Sequence, residues 1–292
     1  MAVHFMISVD TVTRRSISYH YDFFTVFYRL LWGPHLHHGL WSGNESSRVA
    51  QLQLTQRLAE LAGIHGGESV LDVGSGMGGS SIYLARQFGC KTQGVTVSPL
   101  QAGWATQSAR WHGVSERSRF RCQDVEQAQF PAESFDVVWS IECTEHLYDK
   151  PALFQNVAHW LKPGGRVAIC AWLAGDDPQS PEQIRMVEDV CEGFFCPSLG
   201  TSQDYIAWME AAGLTMRTVE DWTSRVWRTW ELCQERIDRY RIRWLARLVS
   251  QETVLFLDRF DTILKAYQTG AMKYGCFIAE KPLTAMSPLD AP

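Results

Sequence analysis

Between residues 48 and 62 apolar side chains recur at helical spacing, with Val49, Leu52, Leu58 and Leu61 on one side and Gly63 where a helix end favours a residue without a Cβ. The pattern predicts a helix, and the five-residue run that follows it, 69–73, is short and apolar enough to be a buried strand. Glycines crowd 74–79, after which Ile82, Tyr83, Leu84, Ala85 and Phe88 resume helical spacing. Alternation over 91–97 predicts a second strand, and Ser98-Pro99 supplies a capping side chain and a proline at the first helical position. Further strands are expected at 120–122, 135–140 and 167–172, the last after the turn Lys162-Pro163-Gly164-Gly165. Strands that alternate with helices imply a parallel sheet covered on both faces.

Past Trp172 the rhythm changes. A polar stretch at 175–181 leads to helical segments near 182–193 and 202–212 and a long helical region from about 224 to 268, while 273–279 reads as a last strand returning to the sheet. The expected organisation is a helical arm or lid over 1–47, a cofactor-binding core over 48–173, a helical cap interleaved with late strands over 174–272, and a final strand and tail over 273–292.

Composition narrows the partners. With 46% apolar and 20% charged residues in 292, the chain can bury a core, and its net charge of −5 offers no footprint for nucleic acid. Eight cysteines without a C-x-x-C pair point to reduced thiols, and no apolar run approaches the ~18 residues of a membrane span, so a cytoplasmic protein without stable membrane insertion is expected. Seven arginines against three acids give 225–247 a net +4, read first as a solvated face. Trp32, Trp41, Trp208, Trp222, Trp227, Trp230 and Trp244 lie outside the core segment, as packing or as the lining of an apolar pocket.

Gly74, Gly76 and Gly79 satisfy G-x-G-x-x-G, which nucleoside-binding folds of several kinds share. A dinucleotide site also has an acid about 20 residues on that holds the ribose, and here no acid falls between Asp72 and Glu116. Thr96, Ser98 and Gln101 at the end of the second strand can hydrogen-bond a ribose without charge. Asp72 suits the cationic amino end of a sulfonium cofactor and would repel a pyrophosphate. An NAD-dependent oxidoreductase is disfavoured on these grounds, and a noncatalytic ligand-binding protein stays open.

The stretch Leu71-Asp72-Val73-Gly74-Ser75-Gly76-Met77-Gly78-Gly79, with Gln123-Asp124-Val125 and Leu161-Lys162-Pro163-Gly164-Gly165, resembles the class I S-adenosylmethionine-dependent methyltransferases. Within that class the chain is similar to the γ-tocopherol methyltransferase-like enzymes that methylate carbon or nitrogen of small molecules. That likeness is carried by residues 32–39, 97–101, 138–146 and 270–275. The resemblance implies a Rossmann-like seven-stranded α/β sheet with helices on both faces, S-adenosylmethionine as cofactor, and cofactor contacts from Asp72, Gly74, Ser75, Gly76, Gly78, Thr96, Ser98, Gln101, Asp124, Val125 and Ser140. Asp124 is the implied acceptor for the adenine amine.

Glu142, Glu145 and His146 follow the fourth strand of the core, at the carboxyl edge where open α/β sheets bind ligands, and are the candidate catalytic residues, with Glu142 or His146 as base. His35, His37 and His38 lack a complete metal-ligand set, so no metal is expected. Tyr21, Trp32, His37 and His38 are read as lid or substrate contacts, and the aromatic segment 19–28 as a helix that closes over the site or mediates a homo-oligomer. The expected reaction is methylation of carbon on a hydrophobic prenylated aromatic or terpenoid acceptor, with cyclisation conceivable; methylation of nitrogen or oxygen in an alkaloid or phenol is the alternative.

Overall fold

In the computed structural model the described residues are 6–14, 17, 35–176, 179–242, 244 and 251–283, with the backbone alone at 251–255. Seven strands form one sheet in the order β4-β3-β2-β5-β6-β9-β8. Here β2 is Ser69–Val73, β3 Lys91–Thr96, β4 Ser118–Cys122, β5 Phe135–Ile141, β6 Leu161–Ala174, β8 Thr215–Asp221 and β9 Met272–Glu280. β2 to β6 pair in parallel, whereas β9 runs antiparallel between β6 and β8. A separate two-stranded sheet joins β1, Ile7–Ser8, to β7, Ser198–Leu199. The doubly covered α/β sheet expected from the sequence is the observed fold.

Alternation along β5 shows how both faces are filled. Val137, Trp139 and Ile141 enter one core with Leu54 and Leu58 of α1 (Ser47–Leu61), Val187 of α5 (Pro181–Phe194), Trp230 of α8 (Arg228–Arg239) and Phe260 of α9 (Gln251–Gln268). Phe135 and Val138 enter the other, with Phe154 of α4 (Lys150–Trp160) and Tyr205 of α6 (Ser202–Ala211). Ser98 caps α3 (Pro99–Trp111) by accepting from Gln101 N at 3.1 Å, with Pro99 in the first turn as its sequence signals. α2 spans Gly79–Gln87, and α7, Thr223–Val226, leads into α8.

Three boundaries differ from expectation. The turn at 162–165 lies inside β6, where the pairing with β5 slips between Phe135 and Val137 and Gly164 takes φ +74°. β8 replaces what reads as a link, because an edge strand half exposed along its length carries little apolar signal. The long helical region is divided: α7, α8 and α9 are separate helices, α9 packing on α5 and α8. The aromatic segment 19–28, Tyr21, Trp32, and with them the proposed route to a homo-oligomer, lie outside the described residues. Among the described residues no helix is long and apolar enough to cross a membrane.

Candidate active site

A cavity of about 1520 Å³, counting its open mouth, runs from the carboxyl ends of β2 and β3 to a wall formed by β6, α5 and α8.

The first half is built by the turn after β2. Gly74 and Gly76 take φ +75° and +51°, values that disfavour a side chain. At Gly74 a Cβ would meet Cys143 Cβ at 2.3 Å, while at Gly76 its nearest neighbour would be Leu36 Cδ1 at 3.9 Å, so that backbone faces open cavity and a ligand can lie against it. Asp72, at the base of the turn, is buried and accepts from Ser81 Oγ at 2.6 Å. Burial pushes its carboxyl up to about 6 despite that bond. Thr96 donates to Gln101 Oε1 at 2.9 Å, and both line the cavity. Asp124 caps a short helical turn through Glu126 N at 3.0 Å and receives Arg14 Nη1 on its other oxygen at 2.5 Å. Ser75 and Val125 line the cavity as well.

Three of the residues expected to hold cofactor work at one remove. Gly78 leaves space for the Phe120 ring, which a Cβ would meet at 2.7 Å, Ser98 is the cap of α3, and Ser140 donates to Val73 O at 3.0 Å. Each shapes the cradle from behind without lining it.

The second half begins at the end of β5. Glu142 sits at φ +53°, a backbone region that non-glycine residues enter mostly where surrounding contacts hold them. Its Oε1 accepts from His38 N at 2.8 Å, His38 Nδ1 at 2.9 Å and Tyr274 Oη at 2.8 Å. Burial works to raise its carboxyl, but the contacts with His38 outweigh it and hold the group down at about 2. Glu142 is therefore ionised at any ordinary pH. His146 donates from Nδ1 to Phe195 O at 3.0 Å, which leaves the lone pair on Nε2, and burial lowers the ring to about 4.

Glu145 is not brought to the cavity. It is fully buried, accepts from Trp172 N at 3.2 Å and Thr144 Oγ1 at 3.4 Å, and burial raises it to about 8, so it is a neutral acid within the core. Of the three catalytic candidates, Glu142 and His146 line the cavity and Glu145 does not. His37 and His38 do line the cavity; His37 donates from Nδ1 to His38 O at 2.7 Å, and burial lowers its ring, as it lowers His35 to about 3.

Trp172, Phe194 and Trp230 close the far end, with ring centroids 5.3–6.0 Å apart in edge-on pairs. The buried Trp172 indole N–H has no hydrogen-bond partner among the described residues. Trp172 and Tyr274 were missed as site residues, although Trp172 lies near the carboxyl end of a strand and Tyr274 falls in one of the motifs that carry the resemblance.

Residues 9–273 match the family described as mycolic acid cyclopropane synthetase. The chain belongs to that family. It is an S-adenosylmethionine-dependent methyltransferase, and its relatives agree: tocopherol O-methyltransferase of Arabidopsis thaliana is 28% identical, covering 92% of this chain and 83% of its own. Among solved structures, the [4+2]-cyclase SpnF superposes with a TM-score of 0.81 at 23% identity, covering 95% of this chain and 99% of that one. Geranyl diphosphate C-methyltransferase from Streptomyces coelicolor A3(2), crystallised with Mg2+, geranyl diphosphate and S-adenosyl-L-homocysteine, gives 0.73 at 21% identity, covering 91% and 97%. The open backbone at Gly76 and the acid without pyrophosphate-compatible charge at Asp72 fit the cofactor that this methyltransferase uses.

Cofactor affinity should follow Asp72. Its folded-state value lies above the ordinary 3.8, so burying the anion costs stability above about 6 and the cost disappears below 3.8. The cationic amino end of the cofactor favours the ionised form. Calorimetric titration with S-adenosylmethionine should therefore show affinity falling about tenfold from pH 7 to pH 5, and Asp72→Asn should bind weakly with that dependence gone.

Proposed function

We propose that this methyltransferase transfers its methyl group to a carbon atom of a hydrophobic small molecule of the prenylated aromatic or terpenoid kind, with residues 48–173 holding the cofactor and contributing Glu142 and Trp172 to the acceptor end, and 174–272 supplying the rest of its wall. The observation that carries this reading is the far end of the cavity, where one ionised carboxylate, Glu142, stands beside the aromatic wall of Trp172, Phe194 and Trp230. The cofactor supplies an electrophilic methyl group. The chain holds the acceptor against it through the apolar wall, and the glycine turn, Thr96, Gln101 and Asp124 orient the nucleoside.

Methylating an alkene or an electron-rich ring at carbon leaves a cation. Aromatic faces and a carboxylate stabilise developing positive charge, and Glu142 or His146 then removes the proton. Basicity supports carbon over oxygen. Groups at about 2 and about 4 are weak bases, adequate for the very acidic proton of a carbocation and unsuited to a phenol, whose proton leaves near 10. Cyclisation of the cation before proton loss is compatible with the same wall.

Methyl-13C-labelled S-adenosylmethionine, offered with prenylated hydroquinones, terpenoids, alkaloids and phenols, tests the reading by the shift of the label in the product. A carbon-bound methyl is expected. A label on nitrogen or oxygen would overturn it in favour of an amine or phenol acceptor.

A further inference from the structure

Two side chains that line the cavity carry hydrogens taken up by none of the described residues. One is the buried Trp172 indole N–H. The other is the hydroxyl of Thr229, the second residue of α8 and next in sequence to Trp230, which is 5% exposed.

The Thr229 oxygen is fully engaged as an acceptor. Gly39 donates its backbone N–H to Thr229 Oγ1 at 3.0 Å, and Trp41 donates its indole N–H to the same atom, also at 3.0 Å. A hydroxyl has two lone pairs and one hydrogen, and neither N–H can accept. The two contacts therefore use both lone pairs and leave the hydrogen to be given elsewhere. The carbonyl four residues back, a common recipient for a threonine hydroxyl, is Arg225 O, which accepts from Trp41 N at 2.8 Å and not from Thr229. The two donors are themselves held in place. Leu40 N bonds Ala50 O at 2.9 Å, and a Cβ on Gly39 would stand 2.5 Å from that of Ala50, so residues 39–41 are clamped between α1 on one side and α7 and α8 on the other. The hydroxyl is fixed by this clamp, with its hydrogen in the remaining tetrahedral direction.

We propose that Thr229 is a specificity residue whose hydroxyl donates into the acceptor end of the cavity, selecting apolar acceptors that carry a neutral oxygen with a lone pair, such as a ketone, quinone, ether or phenol. The proposal rests on the reading of that end as the acceptor wall and narrows what the wall takes. A pure hydrocarbon would bury the donor without a partner, which forfeits a hydrogen bond on binding. A protonated amine has no lone pair to offer at that point. The Trp172 N–H favours the same complement, because both unspent groups are donors and an oxygen acceptor answers either.

Geranylacetone labelled with 13C at its carbonyl and bound to the S-adenosylhomocysteine complex reports the contact through its infrared band. The band should lie at the lowered frequency of a hydrogen-bonded carbonyl in wild type and in Thr229→Ser, which keeps the hydroxyl, and at the hydrocarbon-solvent position in Thr229→Val, which removes it. A wild-type band at the hydrocarbon-solvent position overturns the proposal whether or not any variant folds, and so does a lowered band that persists in Thr229→Val. Calorimetry against the hydrocarbon in which methylidene replaces the carbonyl should show the ketone binding about tenfold tighter in wild type and about equally in Thr229→Val. If both probes bind wild type equally and Phe194→Ala weakens both, the donor is overturned and the apolar wall stands. Failure of both probes to bind overturns wall and donor together. If the band and the preference hold while methyl transfer is found on nitrogen or oxygen, Thr229 keeps its role and the reading of carbon transfer fails.

Discussion

Glu142→Gln is expected to reduce methyl transfer about 10²–10⁴-fold while leaving S-adenosylhomocysteine affinity within about twofold of wild type. The glutamine oxygen can still accept from His38 N, His38 Nδ1 and Tyr274 Oη, so the backbone at φ +53° and the surrounding rings keep their places. What disappears is the charge and the lone pair that takes the proton. Single-turnover rates with a confirmed acceptor and calorimetry with S-adenosylhomocysteine separate the two effects. Acid unfolding gives a second signature. In the wild type the folded-state value is depressed from the ordinary 4.5 to about 2, so its stabilisation is complete above 4.5 and is lost as pH falls through about 2. The variant should lack that contribution to the acid limb. A variant as active as wild type would move the base to His146.

Gly74→Ala should have the larger effect on the folded protein. The added Cβ would stand 2.3 Å from Cys143 Cβ and 2.4 Å from its Sγ, on a residue whose φ of +75° already disfavours a side chain. Strain and overpacking together should cost on the order of 2–5 kcal/mol. Denaturant unfolding measures the loss, and cofactor affinity should fall with it because the turn and the Glu142 loop meet at this contact. Pairing the change with Cys143→Gly restores space but not φ, so recovery should be partial. Wild-type stability in the single variant would show that the two loops are free to separate.

The parallel half of the sheet was legible because strands buried on both faces read as short apolar runs bounded by glycine and proline, as at Ser69–Val73 and Phe135–Ile141. β8 was illegible for the opposite reason: Thr215–Asp221 alternates between exposed and half-buried positions and contains only Met216 and Val219 as apolar residues, Val219 being 44% exposed. The two-residue strands β1 and β7 carry no periodicity at all. At the site, the glycine turn announced itself because its backbone conformation restricts residue type. The contact of Glu142 with His38 spans 104 positions and that of Trp230 with His38 spans 192, distances at which no local pattern exists. The separation of Glu145 from Glu142 is hidden from the sequence for a related reason. Residues 142 and 145 share one short motif, and only the turn after β5 decides that one faces the cavity and the other the core.

The long excursion between β6 and β9 has a bearing on how such enzymes diverge. Its two ends are stitched to each other, Ala174 pairing with Met272 and Leu173 with Lys273, and between them the chain rejoins the sheet once, as the edge strand β8 on the far side of β9. Phe194 and Trp230 lie within that excursion, whereas the glycine turn, Thr96, Gln101 and Asp124 all precede it. Insertion, deletion and substitution between the stitched ends can remodel what the pocket accepts without disturbing the register that holds the nucleoside cradle. A lineage can thus keep the part of the chain before Ala174 and change its acceptor chemistry by rewriting the helices that follow.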